Sequence, residues 1–146
     1  MTAAAALALR PTMESLISTA EPVVAIVAGA PAWKDVEAIR SALGLLHPES
    51  WVVHGATTGA DVIADDAARE LGLYVRADRA APGRSRSSGP LRNTKLCLMA
   101  RNAAAALGRR VIVLAYPGTD STWVWDLVRK ATDAGWRVLL PAGGDE

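Results

Sequence analysis

The chain is 146 residues long, 51% of them hydrophobic, with a net charge of +1 and a single cysteine. That length suits one domain with a self-sufficient core, and the near-neutral charge excludes a uniformly basic nucleic-acid-coating protein. One cysteine excludes an internal disulfide, and the longest apolar runs, Ala3–Leu9 and Val111–Tyr116, are too short to span a bilayer.

Residues 1–21 read as an appendage. The alanine-rich start has no basic segment ahead of it, so it does not read as a signal peptide; Thr12 is placed to cap a short helix through Ile17. The domain proper is read as 22–146. Val23–Ala28 is a continuous apolar run, the pattern of a strand buried on both faces. Gly29, Ala30, Pro31 and Ala32 then turn the chain into a helix carrying Trp33, Val36, Ile39, Leu43 and Leu46 at helical spacing, which His47-Pro48 ends. A second strand, Trp51–Val53, passes through His54 and Gly55 into a glycine-punctuated loop. From Ala60 a helix follows, with Val62, Ile63, Ala67 and Leu71 expected on its inner side and Gly72 as its cap.

Leu73–Ala77 reads as a third strand, and Asp78–Pro90 as a long loop of Pro, Gly, Ser and Arg without periodicity. Leu91–Leu107 reads as a helix with Leu96, Met99, Ala103 and Leu107 on one face, and Cys97 on the same apolar stripe. Val111–Tyr116 is a fourth strand. Pro117, Gly118, Thr119, Asp120, Ser121 and Thr122 turn into a helix whose inner face is Val124, Leu127, Val128, Ala131 and Ala134, and Arg137–Leu140 is the last strand. Strands alternating with helices predict an α/β fold: a Rossmann-like, doubly wound sheet of about five parallel strands with helices on both faces. Ligands of such sheets sit outside the carboxyl ends of the strands, where the strand order reverses, and every polar loop named above follows a strand or opens a helix.

The distribution of charge says more than its total. Arg76, Arg79, Arg84, Arg86, Arg92, Lys95 and Arg101 face only Asp78 within their stretch, which is either a solvated loop or half of an anion site. With almost no apolar surface to bury, the loop from Asp78 to Pro90 reads as a lid that orders over a phosphate through Arg84 or Arg86. No histidine or cysteine pair stands at metal-ligand spacing, so no metal is expected. No serine stands in a G-x-S-x-G turn, and the cysteine lies on a core face, so there is no candidate nucleophile.

These motifs resemble the SLOG superfamily, the Rossmann-like group that includes DprA and the Lonely Guy phosphoribohydrolases, and most closely its small YpsA-related branch. His54–Asp61 is similar to that branch's H-G-G-A-x-G-A-D motif, Ser88–Asn93 to its A-G-P-x-R-N segment, and Pro117–Thr122 to the superfamily's P-G-G-x-G-T loop. Gly29–Trp33 is similar to the G-S-R-x-W after the first strand, with Pro31 where that branch has arginine. Thr119 and Ser121 replace glycines of the phosphate loop, and Trp125 stands where the phosphoribohydrolases have a glutamate, with Asp126 one position on.

The resemblance implies a nucleotide or nucleotide-derived small molecule as ligand, and no separate cofactor. It implies contacts from Gly29, Ala30, His54, Gly55, Thr58, Asp61, Arg84, Arg86, Arg92, Asn93, Pro117, Gly118, Thr119, Asp120, Ser121 and Thr122. Each has a plainer reading beside it: helix caps for Asp61 and Asp120, a structural hydrogen bond for His54, and a local ion pair for Arg92. No residue is assigned as catalytic. Lonely Guy-like cleavage of nucleoside monophosphates is the alternative, and it lacks its glutamate. DprA-like binding of single-stranded nucleic acid is a third reading, and no aromatic residue is interleaved with the basic loop for stacking. Trp123 and Trp125 either cover the pocket or lie in a homodimer or larger homo-oligomer, and a cytoplasmic location without membrane contact is expected.

Overall fold

A computed structural model describes residues 17, 21–56, 59–78, 88–119 and 121–142. Five strands, β1 (Val24–Gly29), β2 (Trp51–His54), β3 (Tyr74–Ala77), β4 (Val111–Tyr116) and β5 (Arg137–Leu139), form one sheet in the order β3-β2-β1-β4-β5. Every pairing is parallel. The helices are α1 (Val36–Leu43), α2 (Ala60–Glu70), α3 (Ser88–Leu107) and α4 (Thr122–Asp133). This is the expected α/β, Rossmann-like doubly wound architecture. The chain moves outward from β1 through β2 to β3, and then returns through α3 to β4 on the other side of β1.

Strand alternation divides the core in two. Val23, Ala25, Val27, Val52, Ile112, Leu114 and Tyr116 pack on one face with Ile39 and Leu43 of α1 and the alanines of α2. Val24, Ile26, Val53, Val111, Val113 and Ala115 pack on the other with Leu96 and Ala100 of α3 and Val124, Leu127 and Ala131 of α4. Apolar residues at both odd and even positions of β1 and β4 are what a sheet covered on both faces requires.

Several helix expectations shift. The first helix starts at Val36 rather than near Trp33, because the Asp35 carboxylate accepts from the Ala38 N–H and fixes the cap. Trp33 instead sets its ring edge-on to Tyr116, 5.3 Å between centroids. On α2 the buried side is Ala60, Asp61, Ala64, Ala67 and Ala68, while Val62 and Leu71 are exposed. The third helix begins three residues earlier than expected, at Ser88, with Pro90 in its first turn, where a missing N–H costs no helical bond. Its inner residues are Leu96, Ala100 and Ala104, and Leu107 is exposed.

Small side chains on α2 let it approach the end of β1 closely. A Cβ added to Gly29 would stand 2.5 Å from the Ala60 Cβ and 2.9 Å from the Tyr116 Cβ. Beyond it, Gly59 turns with φ +68°, and a Cβ there would meet the Pro31 carbonyl oxygen at 2.2 Å. Gly29→Ala is therefore expected to destabilise the fold by about 1–3 kcal/mol, the usual cost of overpacking. Urea unfolding measures this, and an unchanged midpoint would contradict the packing described.

Candidate functional site

Between the carboxyl ends of β1 and β4 the chain leaves in opposite directions, to α1 on one face and α4 on the other, and a crevice opens there. It is a cleft of about 470 Å³, within the usual size of a small-molecule site. Its floor is apolar, from Val27, Leu96 and Val124, and its walls carry Asp61, Arg92, Asn93, Ser121 and Thr122. A smaller recess of about 370 Å³ adjoins it across Pro31, lined by Ala30, Trp33, Lys34, Gly118 and Thr119.

Arg92 is placed by the second turn of α3. Its Nε is buried and has no hydrogen-bond partner, and among the described residues its guanidinium forms no ion pair. A buried donor left unmatched is costly, and this is the side-chain polar atom in that state among the described residues. Gly55 brings the walls together: a Cβ there would lie 3.4 Å from Asp61 Oδ2 and 3.6 Å from Arg92 Cδ. Asp61 is itself buried, at 5% exposure.

Asn93 is held by a network that sequence reading missed. Its Nδ2 donates to the Trp123 carbonyl at 2.8 Å and to Asp126 Oδ2 at 3.0 Å. Both partners accept only, which fixes the amide orientation and leaves Oδ1 as the atom with free capacity. Lys130 Nζ donates to the same Asp126 oxygen at 2.6 Å and to the Pro90 carbonyl at 2.9 Å, while Arg129 takes the other oxygen at 2.8 Å. Burial works to raise the Asp126 carboxyl, but the Lys130 and Asn93 hydrogen bonds outweigh it and hold the group below its ordinary value. The signal was the Asp126 to Lys130 spacing of four, a helical ion pair.

The amino end of α4 has no side-chain cap. Ser121 does not serve as one, because its hydroxyl accepts from the Gly118 N–H and donates to the Gly118 carbonyl, which closes the turn on itself. The first helical bond runs from Trp125 N to Ser121 O. The N–H groups of Thr122, Trp123 and Val124 therefore have no intrahelical acceptor, and all three residues line the cleft. Ser121 acts by shaping this turn rather than by offering its hydroxyl.

His54 lies elsewhere. As the residue after Val53 on β2 it points to the opposite face of the sheet from α3, and it is 2% exposed. Its Nε2 lies 2.6 Å from Asp65 Oδ2 of α2, and its Nδ1 accepts from the Ala56 N–H at 3.0 Å. Accepting at Nδ1 places the proton on Nε2, so the ring donates to Asp65 and braces Ala56 at φ +59°. His54 thus does not line the main cleft, and both of its ring nitrogens have partners within the protein. Ala30, Gly118 and Thr119 line the side recess, while Gly29, Gly55, Asp61, Arg92, Asn93, Ser121 and Thr122 meet at the main cleft. Pro117 is buried and lines neither. Thr58, Arg84, Arg86 and Asp120, and with them the expected lid, lie outside the described residues. Trp123 lines the cleft and leans on Gly89, where a Cβ would come 2.7 Å from its ring, whereas Trp125 does not line it. Among the described residues no group of three His, Cys, Asp or Glu could hold a metal ion, and no helix is long and apolar enough to cross a membrane.

The brace carries a pH dependence. The Arg69 hydrogen bond, with help from His54, holds the Asp65 carboxyl below its ordinary value against the opposing effect of burial. Stability from this group is thus complete above the unfolded value of about 3.9 and is lost as the pH falls through the lower folded value. Asp65→Asn is expected to be less stable than the parent at neutral pH, with the gap closing on acidification below about pH 4. A gap in urea midpoint that stays constant between neutral and acid pH would show that the carboxylate charge contributes nothing.

Comparison with known proteins matches residues 22–81, from β1 to just beyond β3, to the model described as the YspA, cpYpsA-related SLOG family, YAcAr. No curated protein sequence matches the chain. Among solved structures, that of DNA processing protein A (DprA) from Streptococcus pneumoniae aligns with a TM-score of 0.44 at 17% identity, over 81% of this chain. The chain spans 58% of the length of that one. The matched segment holds the turn after β1, the His54–Asp61 loop and the Asp65 brace, and it joins the cleft walls supplied by α3 and α4. Over residues 22–81 the chain is thus similar to the YspA, cpYpsA-related SLOG family, and its five-stranded parallel sheet is of the Rossmann-like α/β type.

Proposed function

We propose that the cleft binds a nucleotide or nucleotide-derived small molecule, with its phosphate between Arg92 and the amino end of α4. The observation that carries this reading is the buried, unpartnered Arg92 Nε in a cleft that also receives the uncapped N–H groups of Thr122, Trp123 and Val124. A guanidinium fork and a helix start are both suited to phosphate, and both are pre-placed. The apolar floor and the Trp123 ring offer a surface for a base, and Asn93 Oδ1 offers an acceptor to a ribose hydroxyl or an amine of the base.

Binding without turnover is the better-supported form. Trp125 occupies the position of the phosphoribohydrolase glutamate, and both oxygens of Asp126 are engaged by Arg129, Lys130 and Asn93. Asp61 is the carboxylate that lines the cleft, so base–ribose cleavage, the second reading, would fall to it. Exposed Leu91 and Leu98 on α3 and Trp125 on α4, two helices packed side by side, support self-association of the domain as a further part of this proposal.

In calorimetric titrations with nucleoside monophosphates, Arg92→Ala is expected to lose about 1.5–3 kcal/mol of binding free energy, the range for a charge-assisted hydrogen bond. Unchanged affinity would remove Arg92 from the site. Incubation of the protein with the same compounds is expected to release no free base by chromatography. Release that scales with protein concentration and disappears in Asp61→Asn would establish cleavage in place of binding alone.

A further inference from the structure

At the opposite end of the sheet, away from the cleft, the amino ends of β4 and β5 and the tail of α3 enclose a second recess of about 440 Å³. Arg101, Arg109, Arg110 and Arg137 line it together with Trp136, and none of its lining residues is acidic. Among the described residues none of these four arginines forms an ion pair, although Arg40, Arg69, Arg129 and Lys130 elsewhere all do. In a chain of net charge +1, four unneutralised guanidinium groups around one hollow are a local concentration of charge that folding alone does not require.

Two of the four are held in place. The Arg101 guanidinium lies over the Trp136 ring, 5.8 Å from its centroid, which leaves the edge of the fork free to donate. Arg109 Nη1 donates to the Glu49 carbonyl at 2.7 Å. Arg137 opens β5 beside Ile112, and Arg110 immediately precedes β4, so the two residues flank the same end of the sheet. Cations are favoured near a helix carboxyl end, which accounts in part for Arg109 and Arg110 just after α3. It does not account for Arg137, which starts another strand, or for Arg101, more than a turn inside the helix.

We infer that this recess is a second anion site that takes a small polyphosphate, a ligand of the pyrophosphate or tripolyphosphate class. Guanidinium forks match phosphoryl oxygens bidentately. A single phosphate, with about −1.5 to −2 charges at neutral pH, would leave the group of four under-neutralised, whereas two or three linked phosphoryl groups balance it. The Trp136 face is occupied by Arg101, so the recess offers no free ring for a base, and the phosphates are the part recognised. This site is independent of the Arg92 cleft.

The test is a titration with tripolyphosphate followed by the Trp136 indole N–H and Arg137 amide signals in heteronuclear NMR, which reports on this recess whatever happens at Arg92. Saturable shifts are expected in the parent protein and in Arg92→Ala, with affinity reduced about tenfold or more in the Arg110→Ala/Arg137→Ala variant. Both altered residues are solvent-exposed, and the dispersion of the same spectra verifies that the variant is folded. Absent shifts, or shifts with equal affinity in the double variant, would overturn the inference. A single-stranded oligonucleotide that moved the same signals at lower concentration than tripolyphosphate would also overturn it, in favour of a nucleic-acid strand.

Discussion

The absence of a side chain at Gly29 is the constraint on which the domain depends. There the last residue of β1 touches Ala60 at the start of α2 and Tyr116 at the end of β4, with room for no added carbon. Because β1 is the central strand, this contact sets how closely α2 lies on the sheet and how far the ends of β1 and β4 extend side by side. The crevice begins where that pairing stops. Gly59 extends the same close approach on the far side, against the carbonyls of Ala30 and Pro31.

Above that junction, two faces of the sheet make different contributions. On the α1 and α2 face, the His54–Asp65–Arg69 chain braces the loop after β2, and it brings Gly55 and Asp61 to the cleft without taking part in it. On the α3 and α4 face, Asp126 and Lys130 tie the first turn of α3 to α4 and hold the Asn93 amide in one orientation. Arg92, whose buried Nε has no partner, is the neighbour of Asn93 on α3, and both line the cleft together with the first residues of α4. Polar residues that satisfy one another thereby fix the walls of the cleft.

Much of the fold is legible in the sequence, because continuous apolar runs such as Val24–Ala28 and Val111–Ala115 leave no reading but buried strands. The helices are less so. Val62 and Leu71 fit a helical stripe as well as Ala60, Ala64 and Ala67 do, and only the closeness of α2 to the sheet, set by Gly29, selects the alanines. Trp33 has helical spacing from Val36, yet the Asp35 cap excludes it from α1. Of the residues that line the cleft, Gly55, Asp61, Arg92 and Asn93 stand in motifs legible in the sequence. His54 stands in the same motif yet lies away from the cleft, because alternation along β2 turns it to the other face, and that face is defined only once the helices are placed. The Asn93–Asp126 bond joins residues 33 positions apart, a separation that no local pattern encodes.

The proposed site lies in the crevice between β1 and β4, with a ligand's phosphate held by Arg92 and the start of α4. A crystal structure of the protein saturated with a nucleoside monophosphate tests it most directly. Phosphate oxygens are expected within hydrogen-bonding distance of Arg92 Nε and of N–H groups among Thr122, Trp123 and Val124. A nucleotide bound elsewhere with Arg92 Nε still unmatched, or an Arg92 side chain that reaches a protein carboxylate in the crystal, would contradict it.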